Sequence, residues 1–208
     1  MYEKFGQFID GKWQASSNKE TYEVINPANE EVIGHASKAT PEDVNRALKS
    51  AEKGLEVWKK TSPWKRSSVI RKIADLIRAK QDVLAKWITL EVGKPFLEGK
   101  GEVGATADIF EWNSEETKRI YGQTVESRFE DTRIHVYYQP IGVVAAMSPW
   151  NFPLVLSGRK ISTALAAGCS VIIKPDVIAP GGVMELVDIC REAGVPPGVV
   201  NLLSGDPP

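Results

Sequence analysis

Cysteine is nearly missing from this 208-residue chain, with Cys169 and Cys190 as the whole complement. Two cysteines are too few for a disulfide framework, and neither has neighbours at metal-ligand spacing, so no metal site is expected. Unpaired thiols suit a reducing compartment, and a cytoplasmic setting is expected. Histidine is equally scarce: His35 and His135 stand alone in the sequence and read as structural residues. An excess of charge is also lacking, with 26 Lys/Arg against 27 Asp/Glu. Such a balance gives no electrostatic grip on nucleic acid or on an anionic membrane. The basic group Lys59, Lys60, Lys65 and Arg66 then reads as a solvated helix face. No apolar run approaches the ~20 residues that span a bilayer. The opening stretch "MYEKFGQFIDGKW" has no apolar core of a secretory signal. Finally, no G-x-G-x-x-G follows any predicted strand, which excludes the common dinucleotide loop.

What is present is an ordinary globular composition, 42% hydrophobic and 25% charged, with an uneven distribution of charge. Residues 1–140 hold 22 Lys/Arg and 22 Asp/Glu, whereas residues 141–208 hold 4 and 5. A segment this poor in charge is expected to be buried on both faces, as parallel strands and their covering helices are. Its pattern is strand Val143–Met147, helix Pro153–Ala167, strand Ser170–Lys174, helix Gly182–Ala193 and strand Val199–Leu203. This βαβαβ order predicts an α/β fold with a parallel sheet and right-handed crossovers. Where the chain stops after the third strand, that strand is expected to carry an open edge.

The first forty residues read as short strands and turns, with an Asp-Gly hairpin signal in "FIDGKW". Thr40 and Pro41 then start a helix with apolar positions at Val44, Ala47, Leu48, Ala51, Leu55 and Trp58. Ser62-Pro63 opens a second, longer helix ending at Gly93 and Pro95, with Val69, Ile70, Ile73, Ile77, Leu84 and Ile88 on its apolar face. A third helix is predicted from about Pro95 to Tyr121, where Gly99, Gly101 and Gly104 suggest close backbone packing. "TRIHVYYQP" alternates, with Ile134, Val136 and Tyr138 on one side, and reads as a half-exposed strand suited to an edge or an intersubunit sheet.

In an open parallel sheet, ligands bind beyond the carboxyl ends of the strands. Ser148–Asn151, Lys174–Val177 and Ser204–Pro207 occupy that edge. In "MSPWNFPL" (147–154), two prolines and two aromatic rings surround Asn151. An Asn at a helix entrance either caps the helix or offers its amide as a preorganised donor to a developing oxyanion. Lys174 follows the uncharged run Ser-Val-Ile-Ile, and either reaches solvent or binds ribose hydroxyls or a phosphate. Spacing alone leaves both pairs of readings open.

The motifs "QPIGVVAAMSPWNFPL", "RKISTALAAGCSVIIKP" and "AGVPPGVVNLLSGDP" resemble the aldehyde dehydrogenase superfamily. "ITLEVGKP" and "FEWNSEETKRIYG" look like its succinate-semialdehyde members. The resemblance runs from about residue 7 to residue 208. It implies a Rossmann-like, incomplete parallel sheet with flanking helices, binding NAD or NADP without the glycine fingerprint. Residues 1–125 would form the strands and helices of the cofactor domain, 126–140 an oligomerisation strand, and 141–208 the βαβαβ part of the sheet. The implied reaction oxidises an aldehyde to a carboxylic acid through a cysteine thiohemiacetal, in a homo-oligomer.

By the same resemblance, Asn151 donates to the thiohemiacetal oxyanion and, with Met147, Ser148, Pro149 and Trp150, lines the cofactor cleft. Lys174 holds the adenosine ribose, with Pro175, Asp176 and Val177 shaping its turn. Val177 stands where many members carry a ribose-binding Glu, which leaves the choice between NAD and NADP open. The family's nucleophilic Cys, its general-base Glu and its pyrophosphate-binding helix lie beyond residue 208. Cys169 and Cys190 match neither motif and read as small apolar residues. The chain is thus expected to be the N-terminal portion of such an enzyme. The alternative is a truncated, non-catalytic binding or assembly module of the same superfamily.

Overall fold

The computed structural model describes residues 2–206; Pro207, the last residue of the third predicted edge group, lies outside them. Two short strands come first, β1 (Gln7–Ile9) and β2 (Lys12–Gln14), joined by Asp10 and Gly11. Both turn residues have positive φ, 54° and 76°, as a two-residue hairpin of this type requires. β3 (Thr21–Ile25) and β4 (Val32–Ser37) form a separate antiparallel ribbon.

α1 (Pro41–Trp58) starts at a capping box. The Thr40 hydroxyl accepts from the Asp43 N–H, and the Asp43 carboxylate accepts from the Thr40 N–H. The long helix expected after Ser62 is two helices, α2 (Pro63–Ala79) and α3 (Gln81–Val92), with Lys80 between them at φ −102°, ψ 21°. Ile70, Ile73, Ile77, Leu84 and Ile88 are all fully buried. Ile77 and Leu84 are seven residues apart, so the apolar period runs through the break and conceals it. α4 (Phe96–Glu116) follows. Of its glycines, Gly99 packs closely, a Cβ there meeting the Ala85 carbonyl oxygen at 3.1 Å, while Gly101 and Gly104 face open space.

β5 (Gln123–Glu126) and β6 (Arg133–Val136) pair antiparallel into a hairpin exposed along its whole length. The expected half-exposed strand is therefore exposed on both sides, as is its hairpin partner. β7 (Val143–Met147), α5 (Pro153–Ala167), β8 (Ser170–Lys174), α6 (Gly181–Ala193) and β9 (Val200–Leu202) complete the chain.

β7, β8 and β9 run parallel as expected, with Val143 opposite Ser170 and Val171 opposite Val200. The five-stranded sheet has the order β2-β1-β9-β8-β7. β1 joins β9 antiparallel, Phe8 opposite Leu202, so the open edge expected at the third strand is covered. The Gln7 side chain secures this junction. Its amide donates to the Ser37 and Ser204 carbonyls at 3.1 and 3.0 Å, and its oxygen accepts from the Ser204 N–H at 2.8 Å.

Among the three parallel strands, the open edge is β7 instead. Its outer residues Ala145 and Met147 are exposed, so low charge in this segment does not mean burial at every strand. Alternate residues of β8 serve opposite faces. Val171 and Ile173 pack toward α5 and α6, while Ile172 meets Ala47 of α1 and Leu203. α2, α3 and α4 pack on the outside of α5 and α6. On the other face, a Cβ on Gly54 of α1 would meet the Gly198 carbonyl carbon at 2.2 Å, so that helix lies directly on the turn before β9.

Candidate functional site

The carboxyl ends of β7, β8 and β9 bring the three predicted groups to one edge. Beside them lies a cleft of about 600 Å³, walled by Pro41, Val44 and Leu48 of α1 and by Met147, Lys174 and Ser204. Val44 and Leu48, assigned by periodicity to the core face of α1, are 41% and 42% exposed. They form the apolar wall of this cleft. Lys174 stands half-buried at its rim, and among the described residues its ammonium makes one long hydrogen bond, to the Pro175 carbonyl at 3.4 Å. Most of its donor capacity therefore remains for a ligand. Pro175 is buried, Asp176 accepts the Ile178 N–H at 3.1 Å and closes the turn, and Val177 is half-buried beside it.

Ser148 continues the β7–β8 ladder through its N–H to the Lys174 carbonyl, 3.2 Å, and its hydroxyl meets that of Ser157 at 2.7 Å. Pro149, Trp150, Asn151 and Phe152 then form an exposed turn leading into α5. Phe152, not Asn151, occupies the helix N-cap position and makes no side-chain cap bond. Among the described residues the Asn151 carboxamide has no hydrogen-bond partner, which removes the capping role for it. The first free N–H groups of α5, those of Leu154 and Val155, donate instead to the Glu102 carboxylate of α4, at 3.0 and 3.4 Å. No local pattern could have shown Glu102 in this role, since it lies some fifty residues away in sequence.

Glu91, at the end of α3, is a second buried carboxylate that supports the edge. It accepts from the Tyr2 hydroxyl and from the Gly181 and Gly182 N–H groups at 2.6 and 3.1 Å. It thereby fixes the start of α6, just after the Lys174 turn. Burial pushes its carboxyl up to about 7, against these donors, which favour the anion. The folded value exceeds that of an unfolded carboxylate, so the associated stability is fully present at low pH, below about 4, and is lost as pH rises through about 7. The change corresponds to about 3 kcal/mol. Urea unfolding at pH 5 and pH 8 should show stability falling between them, and Glu91→Gln should flatten that fall. Identical profiles for the two proteins would contradict this account of Glu91.

The cysteines are remote from this chemistry. Cys169 and Cys190 are both buried, neither lines the cleft, and burial raises the Cys190 thiol to about 12. Thiolates are the nucleophilic form, so Cys190 is inert. His35 and His135 lie far from the edge, on the β3–β4 ribbon and the β5–β6 hairpin. Among the described residues no cluster of metal-ligating side chains occurs and no helix is long and apolar enough to cross a membrane.

Comparison with known proteins identifies the fold's relatives. The aldehyde dehydrogenase family profile matches residues 13–208. A glutarate-semialdehyde dehydrogenase of Pseudomonas putida is 41% identical over 198 residues, which is 95% of this chain and 41% of the relative. An NADP(+) succinate-semialdehyde dehydrogenase of Escherichia coli is 40% identical over 197 residues, again 95% and 41%. The crystal structure of a Staphylococcus aureus betaine aldehyde dehydrogenase with NAD+ superposes with a TM-score of 0.94 at 35% identity, covering 97% of this chain and 40% of that one. The chain thus spans about 41% of the length of the curated relatives it matches. With its mixed sheet built on three parallel strands, its edge cleft and this match over nearly all its residues, the chain belongs to the aldehyde dehydrogenase family.

Proposed function

We propose that these residues form the N-terminal, cofactor-binding portion of an NAD(P)-dependent aldehyde dehydrogenase that oxidises an aldehyde to a carboxylic acid through a cysteine thiohemiacetal. The observation that carries this reading is the Asn151 carboxamide. It has no hydrogen-bond partner among the described residues, sits on a turn anchored at both ends, and lies at the same sheet edge as Lys174 and the cleft. In this role its amide N–H groups stabilise charge that develops on the substrate oxygen. The nucleophilic cysteine and the general base are supplied by residues outside 1–208. A non-catalytic assembly module is the weaker reading, because an unpartnered amide at this edge has no use in it.

The residues present fit a nicotinamide nucleotide. The Lys174 ammonium has donors left for ribose hydroxyls, and the Val44–Leu48 wall offers an apolar surface to a base. When bound, that cofactor supplies the acceptor for the hydride. The tasks of this chain are to bind it, through Lys174 and the surrounding turn, and to orient the substrate oxygen, through Asn151. Assembly into a homo-oligomer and a cytoplasmic setting belong to the same proposal. The exposed hairpin of residues 123–136, flanked by exposed Tyr137 and Tyr138, supports the first.

Val177 puts no carboxylate where a 2′-phosphate would be repelled, so NADP should be used beside NAD. Steady-state kinetics on the intact enzyme are expected to give a preference below roughly a thousandfold, about 4 kcal/mol. Lys174→Ala should raise KM for both cofactors more than it lowers kcat. A larger preference for NAD, or a Lys174→Ala enzyme with unchanged KM, would contradict the cofactor assignment.

A further inference from the structure

Because the Asn151 side chain has no hydrogen-bond partner among the described residues, whatever aims it must act through the backbone around it. Two charged side chains do so. The Lys94 ammonium, just beyond the end of α3, donates to the Asn151 carbonyl at 3.1 Å and stands 3.8 Å from the centroid of the Phe152 ring. It also donates to Glu102 Oε2 at 2.6 Å. The other Glu102 oxygen accepts from the Leu154 and Val155 N–H groups. The side chains are 13% and 1% exposed, so this pair is shielded from the solvent screening that weakens surface pairs. One ion pair thus grips the chain on both sides of Phe152.

A purely architectural role would hold α4 against α5, and for that Glu102 on the helix start would suffice. Lys94 does something more, since its contacts lie on the turn before the helix: the Asn151 carbonyl and the Phe152 ring. We propose that Lys94 and Glu102 are positioning residues for Asn151, locking the turn so that its carboxamide points away from the protein toward the reacting oxygen. This rests on Asn151 being the oxyanion donor. It adds that the donor is aimed by a buried ion pair from the α3–α4 connection and α4 rather than by its own neighbours in sequence.

The test uses Lys94→Met, Lys94→Arg and Glu102→Gln in the intact enzyme, alone and with Asn151→Ala. Misplacing a catalytic group by about 1 Å can cost up to about 10²-fold, so Lys94→Met is expected to lower kcat by at least about tenfold with cofactor KM little changed. Lys94→Arg, which keeps a cationic donor, should recover most of that loss. Lys94→Met should add nothing further once Asn151 is alanine. In parallel, Glu102→Gln should speed hydrogen exchange at the Leu154 and Val155 amides, and Lys94→Met should shift the Asn151 carboxamide resonances.

If Asn151→Ala lowers kcat while Lys94→Met leaves both kcat and those resonances unchanged, the positioning proposal is overturned and the donor reading stands. If kcat falls only in step with the folded fraction, and arginine does no better than methionine, the pair is merely structural. If Asn151→Ala leaves kcat unchanged while Lys94→Met still shifts the carboxamide resonances, the pair positions Asn151 and the donor reading falls.

Discussion

Replacing Asn151 with alanine is expected to lower kcat of the intact enzyme by about 10²–10³-fold, the usual cost of losing one oxyanion donor. The expectation follows from what the side chain does not do. It caps nothing, since Glu102 receives the N–H groups of α5, and it is exposed, so its loss leaves neither a cavity nor an unsatisfied buried atom. Stability should therefore change by no more than about 0.5 kcal/mol, as for surface substitutions away from special features. Cofactor KM should hold as well, because Lys174 and the cleft wall are untouched. Kinetics paired with thermal unfolding separate the two roles: a large loss of kcat at unchanged Tm supports the donor. A loss of Tm at unchanged kcat would make Asn151 structural after all.

The second large effect is a complete one. Residues 1–208 by themselves should produce no reduced nicotinamide from any short aldehyde. An oxyanion donor without a nucleophile has no tetrahedral intermediate to stabilise. The two cysteines cannot substitute for one. Cys190 lies inside α6 with its thiol pushed up to about 12 by burial, and Cys169 is buried between α5 and β8. Removing a buried sulfur costs stability of roughly 1–3 kcal/mol by leaving a small void, but it removes no chemistry. The intact enzyme with Cys169→Ala or Cys190→Ala should accordingly keep its turnover number per folded molecule. Loss of turnover in Cys169→Ala at full folding would reassign the nucleophile to this chain.

The parallel core was legible from residues because β7, β8 and β9 each follow a local rule: a short apolar run closed by Gly, Pro or a polar turn. The covering of β9 was not. Its partner β1 lies nearly 200 residues away, and the glutamine that secures the junction, Gln7, carries no pattern a reader could follow. The break at Lys80 was hidden by an apolar period that continues through it. At the site, Asn151 and Lys174 could be placed at the sheet edge from strand order alone, while the roles proposed for them rest on the resemblance. The structure then settled the cap by assigning it to Glu102. Lys94 and Glu102 gave no signal in the sequence, because charged side chains in short connections and on helices ordinarily face water, and only tertiary packing turns them inward. Val44 and Leu48 failed in the opposite sense. Their helical spacing marked a core face, but the cleft leaves that stripe partly uncovered.

The central claim is that this chain supplies the cofactor edge and the oxyanion donor, while the nucleophile lies outside it. The most direct test quenches the intact enzyme during turnover with an aldehyde and maps the covalent adduct by peptide mass spectrometry. The account predicts an adduct on a cysteine outside residues 1–208, with the peptides containing Cys169 and Cys190 unmodified. An adduct on either of those two cysteines would contradict it.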